Sequence, residues 1–264
     1  MLSNRQAKLL DFIIREHVKT AKPVGSALIA KKAGFKLSPA TLRSEMVDLE
    51  KTGYLTQLHT SGGRVPTDKA YRYYVNSLLE NENRLKLGIE YKNKIKRAFS
   101  DMPPDPREIN KVVARVLSNL SENLVITGIS QDEDFFKKGL VSLFENPEFR
   151  EFGEAFQLAR FFEEFEGMFQ FIEREFFNTL GAPRSIPVQI MIGKESPFRK
   201  IHHETVMCAK YGLPNNCVGS LTLVGPTRMN YGKNIALIKF MTEELNNIND
   251  TNIRMHSNDT NKYK

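Results

Sequence analysis

The 264-residue sequence has little of what marks membrane, secreted or redox proteins. No apolar stretch approaches the roughly 18 residues that a membrane-spanning helix needs. Residues 1–6 lead into a charged segment rather than the uncharged core of a signal peptide. The only two cysteines, Cys208 and Cys217, form no CxxC motif. We interpret them as small hydrophobic side chains in a reducing compartment, and we expect a cytoplasmic protein without membrane contact.

Motifs for enzyme chemistry are also missing from the sequence. It has no P-loop, no dinucleotide fingerprint, no GxSxG and no HExxH. The one tempting cluster is His202-His203-Glu204, but adjacent residues point in different directions on most backbones, which disfavours a metal site. We therefore expect a protein that is not an enzyme and that uses no metal or cofactor.

What the sequence does have is a basic excess confined to its first quarter. Residues 1–75 carry 8 Lys and 5 Arg against 3 Asp and 3 Glu, a net charge of +7, whereas residues 76–264 are neutral overall. A basic excess in one small domain is typical of a module that binds a polyanion. Charge alone leaves open a basic domain that is merely soluble.

Apolar periodicity and capping residues divide this basic region into three helices. The first is predicted over residues 5–19, and the second over residues 26–33 with Ser26 as its N-cap. The third begins after Ser38, with Pro39 at its first position, and ends near Thr52.

A hairpin and a fourth helix follow. β-prone runs over residues 54–66 surround a Ser-Gly-Gly turn, which predicts a hairpin, and Thr67 is placed to cap the next helix. The order helix, helix, helix, hairpin, helix is that of a winged helix-turn-helix. The sequence therefore predicts this DNA-binding arrangement at the N-terminus.

The third helix is the predicted recognition helix, whose N-terminal residues would face the major groove of DNA. Leu42, Met46 and Leu49 share one side and are predicted to face the core, which leaves the opposite side for contacts. Hydroxyl groups can reach phosphates or base edges, an alanine can meet a thymine methyl and an arginine can pair with guanine. The candidate residues on the first turns of the second and third helices are Ser26, Ser38, Ala40, Thr41, Arg43 and Ser44.

The hairpin and its flanks supply a second set of candidates. Glycines let a backbone approach DNA closely, and we expect at least one of Gly62 and Gly63 to have a positive φ. An arginine at the hairpin tip suits a minor-groove or phosphate contact. The set is His59, Thr60, Ser61, Gly62, Gly63, Arg64, Lys69 and Arg72. A solvated helix face and an ordinary tight hairpin are the alternatives that remain open.

Beyond this region the sequence predicts an α+β protein with four parts. They are a winged helix-turn-helix domain over 1–80, a helical linker over 81–106, a mixed region over 107–250 and a flexible tail over 251–264. The mixed region is predicted to hold strands at 124–129, 188–192, 206–209 and 217–224 and a last helix over about 231–247.

Phenylalanine is concentrated in the middle of the chain. Residues 135–177 hold 13 of the 18 phenylalanines, and many of them recur at helical spacing. This pattern predicts a helical core or a helix–helix interface.

Six segments together resemble the HrcA family of bacterial heat-inducible transcription repressors. Three lie in the basic region in the family's order and spacing: KPVGS at 22–26, LSPATLRSEM at 37–46 and HTSGGRVPTD at 59–68. The others are GLVSLFENPEF at 139–149, IGKE at 192–195 and LVGPTRMNY at 223–231.

The resemblance implies a fold and a mechanism of control. The fold is an N-terminal winged helix and a GAF-like domain, with a dimerising domain inserted into the latter. The function is repression of chaperone operons through an inverted-repeat operator of the CIRCE type, bound as a homodimer and released on heating. The resemblance also implies that the GroE chaperonin keeps the repressor folded.

The chain departs from the family in its centre, because members are usually longer. Residues 124–129 pass almost directly to residues 135–149, so most of the dimerising insertion and several GAF-like strands are missing, which leaves a reduced GAF-like α/β domain. We expect dimerisation through the Phe-rich segment instead, with burial of its rings inside one chain as the alternative. The candidate rings are Phe152, Phe156, Phe162, Phe165 and Phe169. A protein-interaction or ligand-sensing winged-helix regulator without heat control is the alternative function.

Overall fold

The computed structural model describes residues 2–32, 34–35, 37–58, 62–100, 102–129, 135–145, 188–196 and 204–260. Within these ranges, helices and a five-stranded antiparallel sheet form the mixed α+β fold that the sequence predicts. No helix in this part of the chain is long and apolar enough to cross a membrane.

The N-terminal region contains four helices and a short hairpin. The elements are α1 (Asn4–Thr20), α2 (Ser26–Lys32), α3 (Pro39–Lys51), β1 (Leu55–Thr56), β2 (Val65–Pro66) and α4 (Asp68–Glu80). Local capping fixes the helix starts: Ser3 forms a capping box with Gln6, Ser38 caps α3, and Thr67 caps α4. These bounds agree with the predicted ones to within one or two residues.

The start of α2 differs from the prediction. Ile29 N donates to Gly25 O at 3.2 Å, so Gly25 holds the cap position and Ser26 is the first helical residue. The prediction that Ser26 caps α2 is therefore wrong by one position.

The apolar faces of α1, α3 and α4 meet in one core. Leu42, Met46 and Leu49 of α3 are almost fully buried, as their spacing predicts. The other main contributors are Leu9, Leu10, Ile13, Ile14, Tyr71, Val75 and Leu78. Each such side chain contributes about 1.5–3 kcal/mol when fully buried.

The segment after α4 is broken rather than continuously helical. A 3₁₀ turn spans Glu82–Arg84, and α5 (Ile89–Ser100) begins after Gly88. Ile95 and Phe99 of α5 are buried, and α5 packs against α6 (Pro106–Ser121) and the last helix, α8 (Tyr231–Thr260). The linker predicted to be helical over 81–106 therefore holds only a 3₁₀ turn in its first part, and its α-helix begins at Ile89.

The sheet has the strand order β4-β3-β7-β6-β5, and all its neighbours are antiparallel. The strands are β3 (Leu124–Ile129), β4 (Phe135–Lys138), β5 (Gln189–Ile192), β6 (Glu204–Gly212) and β7 (Val218–Pro226). Helices α6 and α8 pack on the sheet, and β6 and β7 are longer than predicted. Within β6, burial raises the pKa of the Cys208 thiol to about 12, which keeps it protonated and inert.

Two predictions for the centre and the end of the chain need correction. Phe135 and Phe136 lie in strand β4 rather than in a helix, and α7 (Leu140–Phe144) is short. The five rings proposed for the dimer interface lie outside the described residues. At the other end, α8 runs to Thr260, so residues 251–260 extend the helix and do not form the predicted tail.

Candidate nucleic-acid interface

The first turns of α3 present a compact polar face. Ser38 Oγ accepts from Thr41 N at 3.1 Å and lies 2.9 Å from Thr41 Oγ1, which fixes both hydroxyl groups at the helix start. Because Leu42 points into the core, its neighbours point outward. Ser38, Ala40, Thr41, Arg43 and Ser44 are all exposed.

Among the described residues, Arg43 is the one cation on this face. It forms no hydrogen bond or ion pair with any residue that the structure describes, and its guanidinium points away from the buried side of α3. The five N–H donors of an arginine are suited to bidentate pairing with phosphate or guanine. Arg43 therefore offers an unused donor set beside the positive end of a helix.

The acidic residues of the basic region are all occupied within the chain. Glu45, which is 7% exposed, pairs with Arg5, and each of the others forms an ion pair or accepts from a backbone N–H. The remaining pairs are Asp11 with Arg15 and Arg84, Glu16 with Lys32, Asp48 with Lys51, Glu50 with Arg64, and Asp68 with the Lys194 N–H. The positive excess is therefore carried by exposed side chains without an acidic partner, among them Lys22, Lys31 and Arg43.

The hairpin is held against the segment before α2. Val24 and Arg64 exchange two backbone hydrogen bonds, both of 2.9 Å. A Cβ on Gly63 would lie 2.5 Å from the Val24 carbonyl carbon, and Gly63 does not have the positive φ that we expected of one of the two turn glycines. Close backbone approach is thus the reason for a glycine at position 63.

The structure describes part of the turn. Gly62 is exposed, and its carbonyl accepts from Gln57 Nε2 at 3.3 Å. His59, Thr60 and Ser61, all predicted contacts, lie outside the described residues. Of the predicted turn residues, the structure therefore places only the two glycines.

Arg64 does not lie at a free hairpin tip. Its Nε donates to Glu50 Oε2 at 2.9 Å, and its side chain is only 11% exposed. The pair ties the hairpin to the end of α3, so Arg64 orients the helix relative to the hairpin. The prediction placed Arg64 at the hairpin tip, free to contact DNA. This placement is wrong, because its side chain is paired with Glu50 and has little exposed surface.

Lys69 and Arg72 are also engaged within the chain. Lys69 Nζ donates to Thr52 O at 2.8 Å and lies 4.6 Å from the centre of the Tyr54 ring. Arg72 Nε donates to Glu195 Oε1 at 2.8 Å, and its Nη2 donates to Ile190 O at 2.7 Å. Arg72 thus faces the sheet region rather than an open surface, which corrects its prediction as a DNA contact.

We call the group Asp68, Arg72 and Gly193–Glu195 the α4 clasp. Asp68 Oδ2 accepts from Lys194 N at 3.1 Å, and Gly193 has φ +50°, where a Cβ would overlap the Asp68 carboxyl group. Glu195 Oε2 also accepts from Ile192 N at 2.9 Å. The clasp fixes the start of α4, which directly follows the hairpin, onto the edge of the sheet. The IGKE segment at 192–195, one of those that resemble the family, thus forms the sheet side of the clasp.

A buried contact next to the clasp joins the same two regions. The rings of Tyr71 and Tyr231 lie 5.6 Å apart, and Tyr231 OH lies 2.8 Å from Thr205 Oγ1. Tyr71 OH in turn lies 2.8 Å from His17 Nδ1 at the end of α1. These contacts connect α4 and α1, which packs against α3, to the sheet region.

The geometry defines the class first: an α+β protein whose basic N-terminal region presents an exposed helix face, with Arg43 on it, that suits a polyanion. Residues 37–235 match the family described as "HrcA protein C terminal domain". The chain therefore belongs to the HrcA family. It is a transcription repressor of the heat-shock response, and it is not an enzyme.

Individual relatives agree with this assignment. The heat-inducible transcription repressor HrcA of Thermoanaerobacter pseudethanolicus is 27% identical over 341 residues, covering 94% of this chain and 97% of the relative. That alignment is longer than the chain, so the relative has segments without a counterpart here, as we expected for a shortened member. The repressor of the same name from Lysinibacillus sphaericus is 44% identical over 46% of this chain and 34% of its own length.

A solved structure shares the fold. It is described as a hypothetical protein at 2.2 Å resolution, with a TM-score of 0.75 and 19% identity, and the match covers 94% of this chain and 98% of that one. This likeness concerns the fold alone.

Proposed function

We propose that the chain represses transcription by binding an inverted-repeat operator as a homodimer, with a winged helix-turn-helix in its N-terminal region. In this arrangement α3 is the recognition helix, the hairpin after it is the wing, and the sheet region is a reduced GAF-like domain. The observation that carries the proposal is the exposed first half of α3, where Arg43 has no partner among the described residues.

The other residues of that face suit the same role. Ser38, Thr41 and Ser44 supply hydroxyl groups for phosphates, and Ala40 supplies a methyl group for a thymine. Lys22, before α2, and Lys31, in the last turn of α2, are exposed cations that can neutralise phosphates. His59, Thr60, Ser61 and Gly62 remain proposed wing contacts.

The intramolecular partners of Arg64, Lys69 and Arg72 give these residues a supporting role in this proposal. Arg64 fixes the wing to α3 through Glu50, Lys69 fixes α4 to the end of α3, and Arg72 fixes α4 to the sheet. Sequence readout requires contact residues that are held on rigid elements. A loosely held helix would lose conformational entropy when it binds, and this loss would weaken the affinity. We therefore place these three residues behind the DNA-reading face.

Dimerisation follows from the symmetry of the proposed operator. Each half-site of an inverted repeat presents the same base edges, so two copies of α3 related by a two-fold axis are needed. One winged helix typically buries only about 600–1,000 Å² on DNA, which favours a dimer for tight binding. The Phe-rich segment around Phe165 remains the proposed contact between the two copies.

We propose that heating controls repression by lowering the fraction of the protein that is folded and able to bind DNA. A loss of about 1–2 kcal/mol in stability changes the ratio of folded to unfolded chain five- to thirty-fold, enough to switch a promoter. The GroE chaperonin, implied by the family, would maintain the folded form. The heat-inducible relatives favour this function over a regulator without heat control.

The direct test compares Arg43→Ala with Arg115→Ala, since Arg115 is also exposed and without a partner among the described residues but lies on α6. We expect Arg43→Ala to cost about 1–3 kcal/mol of discrimination between operator and random duplex, because a base-pairing arginine is lost. Arg115→Ala should leave both affinities unchanged. Binding to both duplexes is measured at two salt concentrations, and an equal loss of specific and random binding for Arg43→Ala would contradict the assignment.

A further inference from the structure

A large cleft separates the N-terminal region from the sheet region. Its volume is about 810 Å³, within the range of small-molecule sites. The end of α1, one face of α4, the loop before α5, the turn after α6 and the segment between β7 and α8 all line it. The α3 face described above does not contribute to it.

The lining of this cleft is strongly basic. It contains six cationic side chains against the single carboxylate of Glu122. Two of the cations, Arg15 and Arg84, share Asp11 as a partner, but Lys19 and Lys86 are exposed and form no ion pair with a described residue. The six cations are Arg15, Lys19, Arg84, Lys86, Arg228 and Lys233. Lys19 and Lys86 therefore add positive charge to the lining that no carboxylate of the described residues pairs with.

The shape of the cleft adds to its charge. Gly232, in the first turn of the 30-residue helix α8, lines the wall, so the positive end of that helix faces the same space. Lys233 is held 5.4 Å from the centre of the Tyr91 ring, which also lines the cleft. Tyr74, Leu78 and Met229 provide apolar surface beside these donors.

We propose that this cleft binds a small phosphorylated molecule that carries more than one negative charge. Cations from α1, the loop before α5 and the segment before α8 would converge on the phosphates, and the apolar wall would accept the rest of the ligand. Because residues of both regions form the walls, an occupant stabilises their docked arrangement. This inference rests on the cleft alone and does not depend on operator binding by α3.

The first test uses a pair of variants at one position. A Cβ on Gly232 would have no atom closer than 4.0 Å, and a helix N-terminus tolerates a carboxylate. Gly232→Asp therefore adds a negative charge to the cleft wall without strain, and Gly232→Asn is its neutral control. Inorganic tripolyphosphate is titrated into the full-length chain by calorimetry, with sulfate at matched ionic strength as the reference salt.

We expect the wild type and Gly232→Asn to bind tripolyphosphate saturably and Gly232→Asp to bind it at least about tenfold more weakly. The bound anion should also raise the melting temperature of the first two proteins. Absence of saturable binding to the wild type, or equal affinity of the two variants, would overturn the proposal.

The second test separates a site from diffuse surface charge. Lys86→Gln/Lys233→Gln removes two cations of the cleft, and Lys22→Gln/Lys31→Gln removes two exposed cations elsewhere. The first pair should weaken tripolyphosphate binding by about tenfold or more, and the second should leave it unchanged. Equal weakening by both pairs would show non-specific attraction. A loss of duplex DNA affinity in the first pair as large as its loss of tripolyphosphate affinity would assign the cleft to the DNA surface. Either result overturns the proposal.

Discussion

The N-terminal region and the sheet region use charge in opposite ways. Residues 1–75 have a net charge of +7, and all their acidic groups contact partners within the chain. Several lysines and Arg43 therefore face outward without an acidic partner among the described residues. The sheet region belongs to the neutral remainder of the chain, and its central strands β3 and β7 are buried along almost their whole length. The comparison indicates that the N-terminal region is suited to contact a polyanion. The sheet region holds the N-terminal region in place.

The two regions also differ in the sequence separation between the residues that contact one another. The core of the N-terminal region comes from within about 80 consecutive residues, whereas β3 pairs with β7 through contacts such as Leu124 with Val224. Non-local pairing makes the second region a slower and more cooperative unit to assemble. The α4 clasp joins the two, so the following predictions ask how far they act as one body.

The largest change in stability is expected from removing a buried leucine side chain in either region. Leu42→Ala in α3 and Leu223→Ala in β7 each remove a fully buried side chain, so each should lower the free energy of unfolding by about 2–5 kcal/mol. Because the clasp and the Tyr71–Tyr231 contact join the regions, we expect one cooperative transition in both variants. Urea unfolding followed by tyrosine fluorescence and circular dichroism measures this. Two separate transitions in Leu42→Ala would show that the regions unfold independently.

A smaller loss of stability is expected from a larger side chain at Gly63 in the hairpin. Gly63→Ala places a methyl group 2.5 Å from the Val24 carbonyl carbon, so we expect a cost of about 1–3 kcal/mol and weaker operator binding. The control is Gly232→Ala, where the nearest atoms are 4.0 Å away and a helical alanine should be neutral or slightly stabilising. Thermal melts and duplex titrations distinguish the two. Wild-type stability of Gly63→Ala would mean that the hairpin is not held against Val24.

The clasp itself is expected to contribute modestly to stability. Arg72 and Glu195 keep side-chain exposures of 30% and 35%, and solvent screening reduces the strength of such a pair. A double-mutant cycle with Arg72→Ala and Glu195→Ala should give a coupling of about 0.5–1 kcal/mol that declines as salt is added. The exposed pair Glu90–Lys94 within α5 is the reference and should show weaker coupling. A coupling no greater than that of the reference would remove the clasp as a link between the regions.

The smallest stability effect is expected for a surface lysine. Lys31→Ala and Lys138→Ala both change exposed residues, and each should alter stability by no more than about 0.5 kcal/mol. Only Lys31 lies in the basic region, so only its loss should weaken binding to every duplex alike and reduce the salt slope by about 1. Salt-dependent titrations with a random duplex give the slope. The same slope change for Lys138→Ala would contradict the division of charge between the two regions.

Local features of the sequence were sufficient to predict the helices of the N-terminal region. Caps such as Ser38 and Thr67 act within three residues of themselves, so the start of an element is encoded beside it. The buried face of α3 follows from spacing alone, and with it the exposure of Arg43.

The partners of the cationic side chains could not be predicted in this way. Arg64 meets Glu50 across 14 residues, and Arg72 meets Glu195 across 123, so their surroundings depend on the folded topology. A basic residue beside a predicted DNA-binding element looks the same in sequence whether it faces solvent or a carboxylate. The clasp and the basic cleft were missed for this reason.

The clasp has a further consequence for the edge of the sheet. Among the described residues, strand β5 is an outer strand of the sheet and pairs with β6, and Arg72 donates to the carbonyl of Ile190 in this strand. An open strand edge is a template on which other chains can add, and natural proteins cover such edges to prevent it. Helix α4 therefore shields β5 from association with other copies. Opening of the clasp on heating would expose that edge, so the heated chain would also become prone to aggregation.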